Sequence, residues 1–274
     1  MFLNCRFITR YFHNSVFNFR FNAFLTALFL LSGLFSGPLW SAEIARTIES
    51  IKPSIVGIGV YQKTNSPAVS FIGTGFVVGD GHTVITNAHV IKRVQESNGK
   101  EILGIMTGKG NTAEFRAAVV VAIDSEHDIA QLKISGNALP VMKLGDSGAV
   151  LEGQSLAFTG FPLGMALGFH HVTHRGMISS ITPVVMPALN SKKLDVKIIT
   201  QLQKSTYSVF QLDGTAYPGS SGSPLYDPET GIVYGVINMV FIKGMKENAI
   251  SSPSGITYAI PGNFVSDLLK RNPP

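Results

Sequence analysis

Cysteine is almost missing: the one cysteine among 274 residues is Cys5. The chain beyond it cannot form an internal disulfide, whatever compartment it occupies. Cys5 also precedes the first apolar run, so it does not read as a lipidated cysteine. Acidic residues are absent from the first 42 positions, which hold Arg6, Arg10 and Arg20. Of 22 basic residues, removing those three leaves 19 against 17 acidic ones, so the formal +5 shrinks to +2. That balance excludes an electrostatic nucleic-acid binder. Long helical patterns are scarce, there is no internal repeat or low-complexity tract, and no second domain is read after the last helix. Histidines number seven, but no carboxylate or cysteine pattern completes a metal-ligand set around them. No metal and no cofactor is expected.

What is abundant points to strands. Twenty-eight glycines and fourteen prolines punctuate a chain that is 45% apolar. Many short strands around a sizeable core follow.

Residues 1–42 read as an address. A basic stretch with the three arginines precedes the largely apolar run Phe21–Phe35. Gly37, Pro38, Ser41 and Ala42 follow as small or turn-forming residues, the order of a secretory signal. Cleavage after Ala42 leaves Trp40 where a small residue is preferred; cleavage after Ser41 or near Gly37 is the alternative. The same residues also fit an uncleaved membrane anchor, since Phe21–Trp40 is of spanning length, a mitochondrial presequence, or a buried helix. Export to a periplasmic or extracellular location is the expectation. Membrane attachment follows only if the segment is retained.

Ala42–Ile51 has apolar residues at helical spacing and is stopped by Pro53. Strands are expected at Ser54–Tyr61, Ser70–Val78, Thr83–Thr86, Glu101–Thr107, Phe115–Ile123 and Ile129–Ile134. Gly79-Asp80-Gly81-His82 marks a hairpin turn. After Gly145-Asp146-Ser147-Gly148 a second set is expected at Ser155–Thr159, Val172–Ser179, Tyr207–Leu212, Pro224–Tyr226, Ile232–Phe241 and Ile256–Ala259. A helix closes the chain at Asn263–Lys270. The segment 182–204 reads as an extended loop. Two sets of six strands imply an all-β fold of two barrels, residues 43–144 and 145–274, with a short N-terminal helix and a C-terminal one.

One loop carries chemistry. Ser221 sits in Gly219-Ser220-Ser221-Gly222-Ser223-Pro224. A nucleophilic serine needs a tight exposed turn whose amides face the developing oxyanion, and glycines permit both. The base and its orienting carboxylate must come from elsewhere. His89 follows the apolar strand in Thr86-Asn87-Ala88-His89-Val90, at a rigid strand end. Asp128 opens the strand Asp128-Ile129-Ala130-Gln131-Leu132-Lys133, where it can accept from an imidazole Nδ1–H. The other histidines fit less well. His82 lies in a turn, and His127 adjoins Asp128 but is directed away from it. In a strand, His170 and His174 share one face while His171 takes the other. Singly, each of these residues has a bland structural reading; their order is what selects them.

The order His89, Asp128, Ser221 resembles that of the chymotrypsin-like class, and the motifs resemble its HtrA/Deg family. Gly73-Thr74-Gly75-Phe76 is similar to that family's early Gly-Ser-Gly strand. Thr86–Val90 and Asp128–Lys133 are similar to its histidine and aspartate motifs. Gly219–Pro224 resembles its Gly-Asn-Ser-Gly-Gly-Pro loop, with Ser220 and Ser223 in place of Asn and Gly. Tyr258-Ala259-Ile260-Pro261 resembles its Phe-Ala-Ile-Pro. The likeness runs from about Ile44 to Leu269.

The resemblance implies a double β-barrel serine endopeptidase acting on unfolded or exposed protein segments. His89, Asp128 and Ser221 would form the triad. The N–H groups of Gly219 and Ser221 would form the oxyanion hole, with Ser220 N–H as a helper. Thr215, six residues before the serine, would lie at the base of the primary pocket. Ile237, Asn238 and Met239 would line its wall. An uncharged base implies cleavage after small or medium aliphatic residues rather than after Lys or Arg. The C-terminal PDZ domain of many members of that family is not expected, because the sequence stops at Pro274; the resemblance suggests a homo-oligomer, a trimer as in relatives. Two rival readings are a catalytically silent binding or chaperone module on the same fold, and an esterase. The esterase elbow Gly-x-Ser-x-Gly and the order Ser, Asp, His are missing.

Overall fold

The structure, a computed structural model, describes residues 38–97, 99–108, 110–163, 168–184, 207–238 and 255–273. Met239, most of the leader and nearly all of the 182–204 segment lie outside them. Spatially the chain divides into Met1–Arg46 and Thr47–Pro274. Of the first unit only helical residues 38–46 are described. Apart from residues 38–46 of the first helix, everything below belongs to the second.

Helix α1 (Pro38–Ile51) begins four residues earlier than its apolar spacing suggests and leads into a single 3-10 turn, Lys52–Ser54. Pro38 at its first position explains the start, because a proline's missing N–H and fixed φ suit the first helical turn. No helix among the described residues is long and apolar enough to cross a membrane.

Six antiparallel strands close the first barrel: β1 (Ile55–Tyr61), β2 (Val69–Val78), β3 (Thr83–Thr86), β4 (Ile102–Thr107), β5 (Glu114–Asp124) and β6 (Ile129–Ile134), in spatial order β1-β2-β3-β6-β5-β4. Helix α2 (Ala88–Glu96) follows β3. Six more close the second: β7 (Ser155–Gly160), β8 (Val172–Pro183), β9 (Ser208–Leu212), β10 (Pro224–Tyr226), β11 (Val233–Asn238) and β12 (Thr257–Pro261), in order β10-β11-β12-β9-β8-β7. Helix α3 (Asn263–Arg271) follows β12. Strand β8 runs four residues beyond its expected end, into the stretch read as a loop.

Each barrel has an apolar interior, Val56, Ile58, Val84, Ile105 and Leu132 in one, Leu156, Phe158, Phe210, Leu212 and Leu225 in the other. A third cluster joins them, with Phe76 and Ile129 from the first barrel against Phe161, Phe169, Tyr226 and Val236 from the second. The Phe161 and Phe169 rings stack at 4.1 Å. Gly57 on β1 makes room for them, since a Cβ there would lie 2.6 Å from the Phe169 ring. Each such buried aromatic contributes about 1.5–3 kcal/mol. This joint fixes the two barrels, and it lies directly beneath the candidate site.

Candidate active site

His89 is placed by a strand end. All four residues of β3 are buried, and Asn87 stays extended at φ −82°, ψ 148° before α2 starts at Ala88. The first N–H groups of a helix lack intrahelical partners. Here Asp128 satisfies two of them. Its carbonyl accepts from Ala88 N at 3.1 Å and its Oδ1 accepts from His89 N at 2.7 Å. Asn87 Nδ2 donates to the same carbonyl at 3.0 Å. The Asp128 carboxylate thus caps α2 from the turn before β6, where the helix dipole favours negative charge.

The same carboxylate meets the imidazole. Asp128 Oδ2 lies 2.5 Å from His89 Nδ1 and accepts from Asn238 Nδ2 at 2.8 Å. Nδ1 therefore carries the proton, and Nε2 is left as the basic nitrogen. Asp128 reaches this pose with φ +53°, a left-handed conformation that Asp tolerates better than most residues.

The serine turn comes from the second barrel. Ser220 N donates to Tyr217 O at 2.9 Å, closing a turn with Pro218 and Gly219 at its centre and Gly219 at φ +101°. Proline then a positive-φ glycine is the type II pattern. Pro218 O accepts from Leu163 N at 2.7 Å. A trans peptide points its N–H opposite to its C=O, so Gly219 N–H faces away from Leu163. Among the described residues, no acceptor takes Gly219 N–H or Ser221 N–H, and Ser221 Oγ makes no hydrogen bond. Ser220 N–H is engaged within the turn, which removes it from the expected oxyanion set.

Strand β2 brings the two halves together. Thr74 N donates to Ser221 O at 2.9 Å. A Cβ on Gly73 would lie 2.7 Å from Val90, the neighbour of His89, and 3.3 Å from Ser221 O. One bare position on β2 therefore touches both the histidine helix and the serine backbone. Gly222, at φ +87°, packs as tightly: a Cβ there would collide with Thr74 O and come within 2.5 Å of Thr86 Oγ1.

The expected pocket residues divide. Thr215 is half-buried and held on both sides by one hydroxyl: Thr257 Oγ1 donates to Gly214 O at 2.5 Å and accepts from Ala216 N at 2.8 Å. Ile237 is fully buried in the second barrel's interior, and the Asn238 side chain is turned to Asp128. Neither is the simple pocket wall the sequence suggests. Period-two alternation alone cannot foresee an amide recruited across barrels.

The histidine cluster is divided. Strand β8 starts at Val172, as expected, so His170 and His171 precede it, the shared-face reading of His170 and His174 does not apply, and His170 and His171 line one cleft with Glu49 and Lys52. His171 Nε2 bonds Ile55 O at 2.9 Å, and His174 stacks on Phe158. Burial pushes the pKa of both His171 and His174 down. Among the described residues, no group of three or more His, Cys, Asp or Glu gathers.

His127 turns from Asp128 to Asp124. Its Nδ1 lies 2.9 Å from Asp124 Oδ2, and its ring stacks on Phe264 of α3 at 3.8 Å. Arg271 Nη2 donates to the same Asp124 oxygen at 2.9 Å. Tyr207 packs edge-on to His127 and donates to Glu126 O. Burial, then the charges of Asp128, Glu126 and Asp124, push the Tyr207 phenol up to about 12. The turn carrying Asp128 is thus gripped by α3 and by the start of β9.

Two closed six-stranded barrels, with a capped His–Asp pair on the first and a glycine-flanked serine turn on the second, define the chymotrypsin-like fold class. The chain belongs to the trypsin-like peptidase domain family, whose model matches residues 73–236. Its relatives bear HtrA and DegP names. It is 29% identical over 198 residues to a probable periplasmic serine endoprotease DegP-like of Halomonas elongata, covering 72% of this chain and 34% of that protein. It is 30% identical over 230 residues to serine protease HTRA4 of Homo sapiens, covering 82% and 40%. The chain therefore spans well under half the length of either. Among solved structures it resembles Deg5 with a TM-score of 0.60 and 23% identity, covering 84% of this chain and 94% of that one.

Proposed function

We propose that this chain is a serine endopeptidase with Ser221 as nucleophile, His89 as general base and Asp128 as the group that orients and stabilises the imidazole. The carrying observation is the 2.5 Å His89 Nδ1–Asp128 Oδ2 contact, set beside a serine turn with two unengaged amides. With Nδ1–H held by Asp128, Nε2 takes the Ser221 proton as Oγ attacks a peptide carbonyl. Gly219 N–H and Ser221 N–H receive the oxyanion. His89 then protonates the leaving amine, and water releases the acyl group by the same route. A contact between nucleophile and base of this kind tightens on substrate binding.

The substrates are peptide bonds in unfolded or exposed protein segments, with small or medium aliphatic residues on the acyl side. Uncharged Thr215, locked by Thr257, supports that preference. Export, with the site facing a periplasmic or extracellular space, is supported by the leader-like composition of residues 1–42 and by the DegP-like relatives. Retention of that leader would add a membrane anchor. A homo-oligomer, such as a trimer, remains part of the reading on resemblance alone.

Casein hydrolysis and fluorophosphonate labelling test the assignment together. The wild-type chain should cleave and be labelled at Ser221, and Ser221→Ala should do neither. Undiminished turnover by Ser221→Ala would sink it. A folded wild-type chain that binds casein but takes no label would favour the silent binding module.

A further inference from the structure

A cleft of about 550 Å³ lies beside Gly219. Its walls include Val69, Phe71 and Ile72 of β2, together with Leu163, Pro218 and Gly219. Among the described residues no charged side chain lines it. Gly219 is the shared wall with the proposed oxyanion site, since a Cβ there would meet Phe71 at 3.0 Å and Leu163 N at 3.4 Å.

Position decides which part of a substrate reaches it. The acyl-side pocket proposed above is built around Thr215, which Thr257 of β12 holds in place. Among the described residues, no lining residue of the cleft comes from β11 or β12, so it is distinct from that pocket. His89 delivers the proton to the leaving amine, and its neighbour Val90 packs against Gly73 of β2. The helix that carries the proton donor therefore stands on the β2 side. That strand also offers a backbone edge. It pairs with β1 over most of its length but with β3 only at Phe76–Val78. Among the described residues, its other edge from Val69 to Gly75 has no strand partner, and Ser221 O takes Thr74 N–H there. An extended chain can lie along such an edge, with pockets reading alternate side chains.

We propose that this cleft is the subsite for the residues immediately downstream of the scissile bond and that it selects large apolar side chains. The proposal rests on the endopeptidase reading. Apolar walls reward buried carbon and reject an unpaired charge.

Acyl transfer isolates this side of the reaction. The full-length chain is acylated on Ser221 with a peptide ester, and amino-acid amides then compete with water. The amine nitrogen bonds to the acyl carbon and loses its proton to His89. The bond from Ser221 Oγ to the acyl carbon breaks, and Oγ takes that proton back. Leucinamide and phenylalaninamide should capture the acyl group about tenfold or more better than glycinamide. Equal capture overturns the proposal. Val69→Glu should shift the preference about fivefold or more towards argininamide, a gain that misfolding cannot mimic; Val69→Ser should weaken leucinamide capture. An unchanged preference in both variants overturns the placement. If the wild-type chain forms no acyl-enzyme, the endopeptidase reading fails on its own. The subsite is then read by fluorescence anisotropy on Ser221→Ala with labelled peptides. Leu in place of Gly after the scissile position should tighten binding about tenfold, and equal affinities overturn the proposal.

Discussion

Thr74 Oγ1 donates to Gly219 O at 2.7 Å. The same hydroxyl accepts from Phe161 N at 3.2 Å, and the Thr74 backbone holds Ser221 O through its N–H and Thr86 Oγ1 through its carbonyl. One fully buried residue thus ties β2 of the first barrel to the serine turn of the second and holds the Gly219–Ser220 peptide, the unit between the two free amides. Thr74→Val keeps the volume and removes the hydroxyl. Its kcat on a chromogenic peptide should fall about 10–100-fold with KM nearly unchanged, less than the 10²–10³ typical of deleting an oxyanion donor outright. Thr74→Ser should stay within about threefold of wild type, since it restores the donor. A raised KM with unchanged kcat would show that Thr74 only shapes binding.

Strand positions were largely legible in the sequence because strands announce themselves by length, β-branched content and the glycines between them. Of the proposed triad, His89 and Asp128 were legible because each sits at a strand end beside an apolar run, and Ser221 because it stands in a glycine-flanked turn. Thr74 was legible only as part of a Gly-Thr-Gly pattern. Nothing in one dimension says that its side chain bridges barrels, since that depends on how two closed sheets meet. Asn238 misled for the same reason: its place on β11 suggested a pocket wall, while its amide serves Asp128 from the opposite barrel. For β8 it was the end and not the start that escaped the pattern: the strand begins at Val172 as expected and runs on to Pro183.

The Asp128 carboxylate is held by His89 and Asn238 together, and each contact makes a separate prediction. Asp128→Asn should lower kcat about 10⁴-fold near neutral pH, because an amide no longer enforces the tautomer that leaves Nε2 basic. Asn238→Ala removes one donor and keeps the charge. About a tenfold loss in kcat should follow, with the fold intact by circular dichroism. Equal losses in the two variants would mean that Asn238 is needed for the fold of the site rather than for the pose of Asp128.

Gly222 is a packing prediction rather than a catalytic one. Its φ of +87° disfavours any side chain, and a Cβ would strike Thr74 O, a backbone atom in a closed sheet. Neither neighbour can give way without breaking the barrel contact. Gly222→Ala should destabilise the chain by roughly 3–5 kcal/mol, measured by urea unfolding of Ser221→Ala backgrounds to avoid self-digestion. A loss below about 1 kcal/mol would mean that the serine turn yields easily, and with it the rigid oxyanion geometry.

Asp124 links α3 to the turn that carries Asp128, and its charge makes that link depend on pH. Burial acts to raise the Asp124 carboxyl, but hydrogen bonds from the His127 ring, the His127 backbone N–H and Arg271 outweigh it, so its pKa lies below the ordinary value of 3.8. A carboxyl depressed in the folded state favours folding above its unfolded pKa, and that contribution fades as pH falls through the folded pKa. The window is therefore below about pH 4. Thermal unfolding of Ser221→Ala should show Tm falling as pH drops from about 4 to 2, and Asp124→Asn should flatten part of that limb. Asp80, also held below the carboxylate range against the burial effect, by Lys133, His82 and Thr83, accounts for some of the remainder. At neutral pH, Asp124→Asn should lower Tm and loosen the His127–Phe264 stack. If the turn's grip on α3 matters for catalysis, kcat should fall with it; an unchanged kcat at lower Tm would confine Asp124 to holding the barrels together.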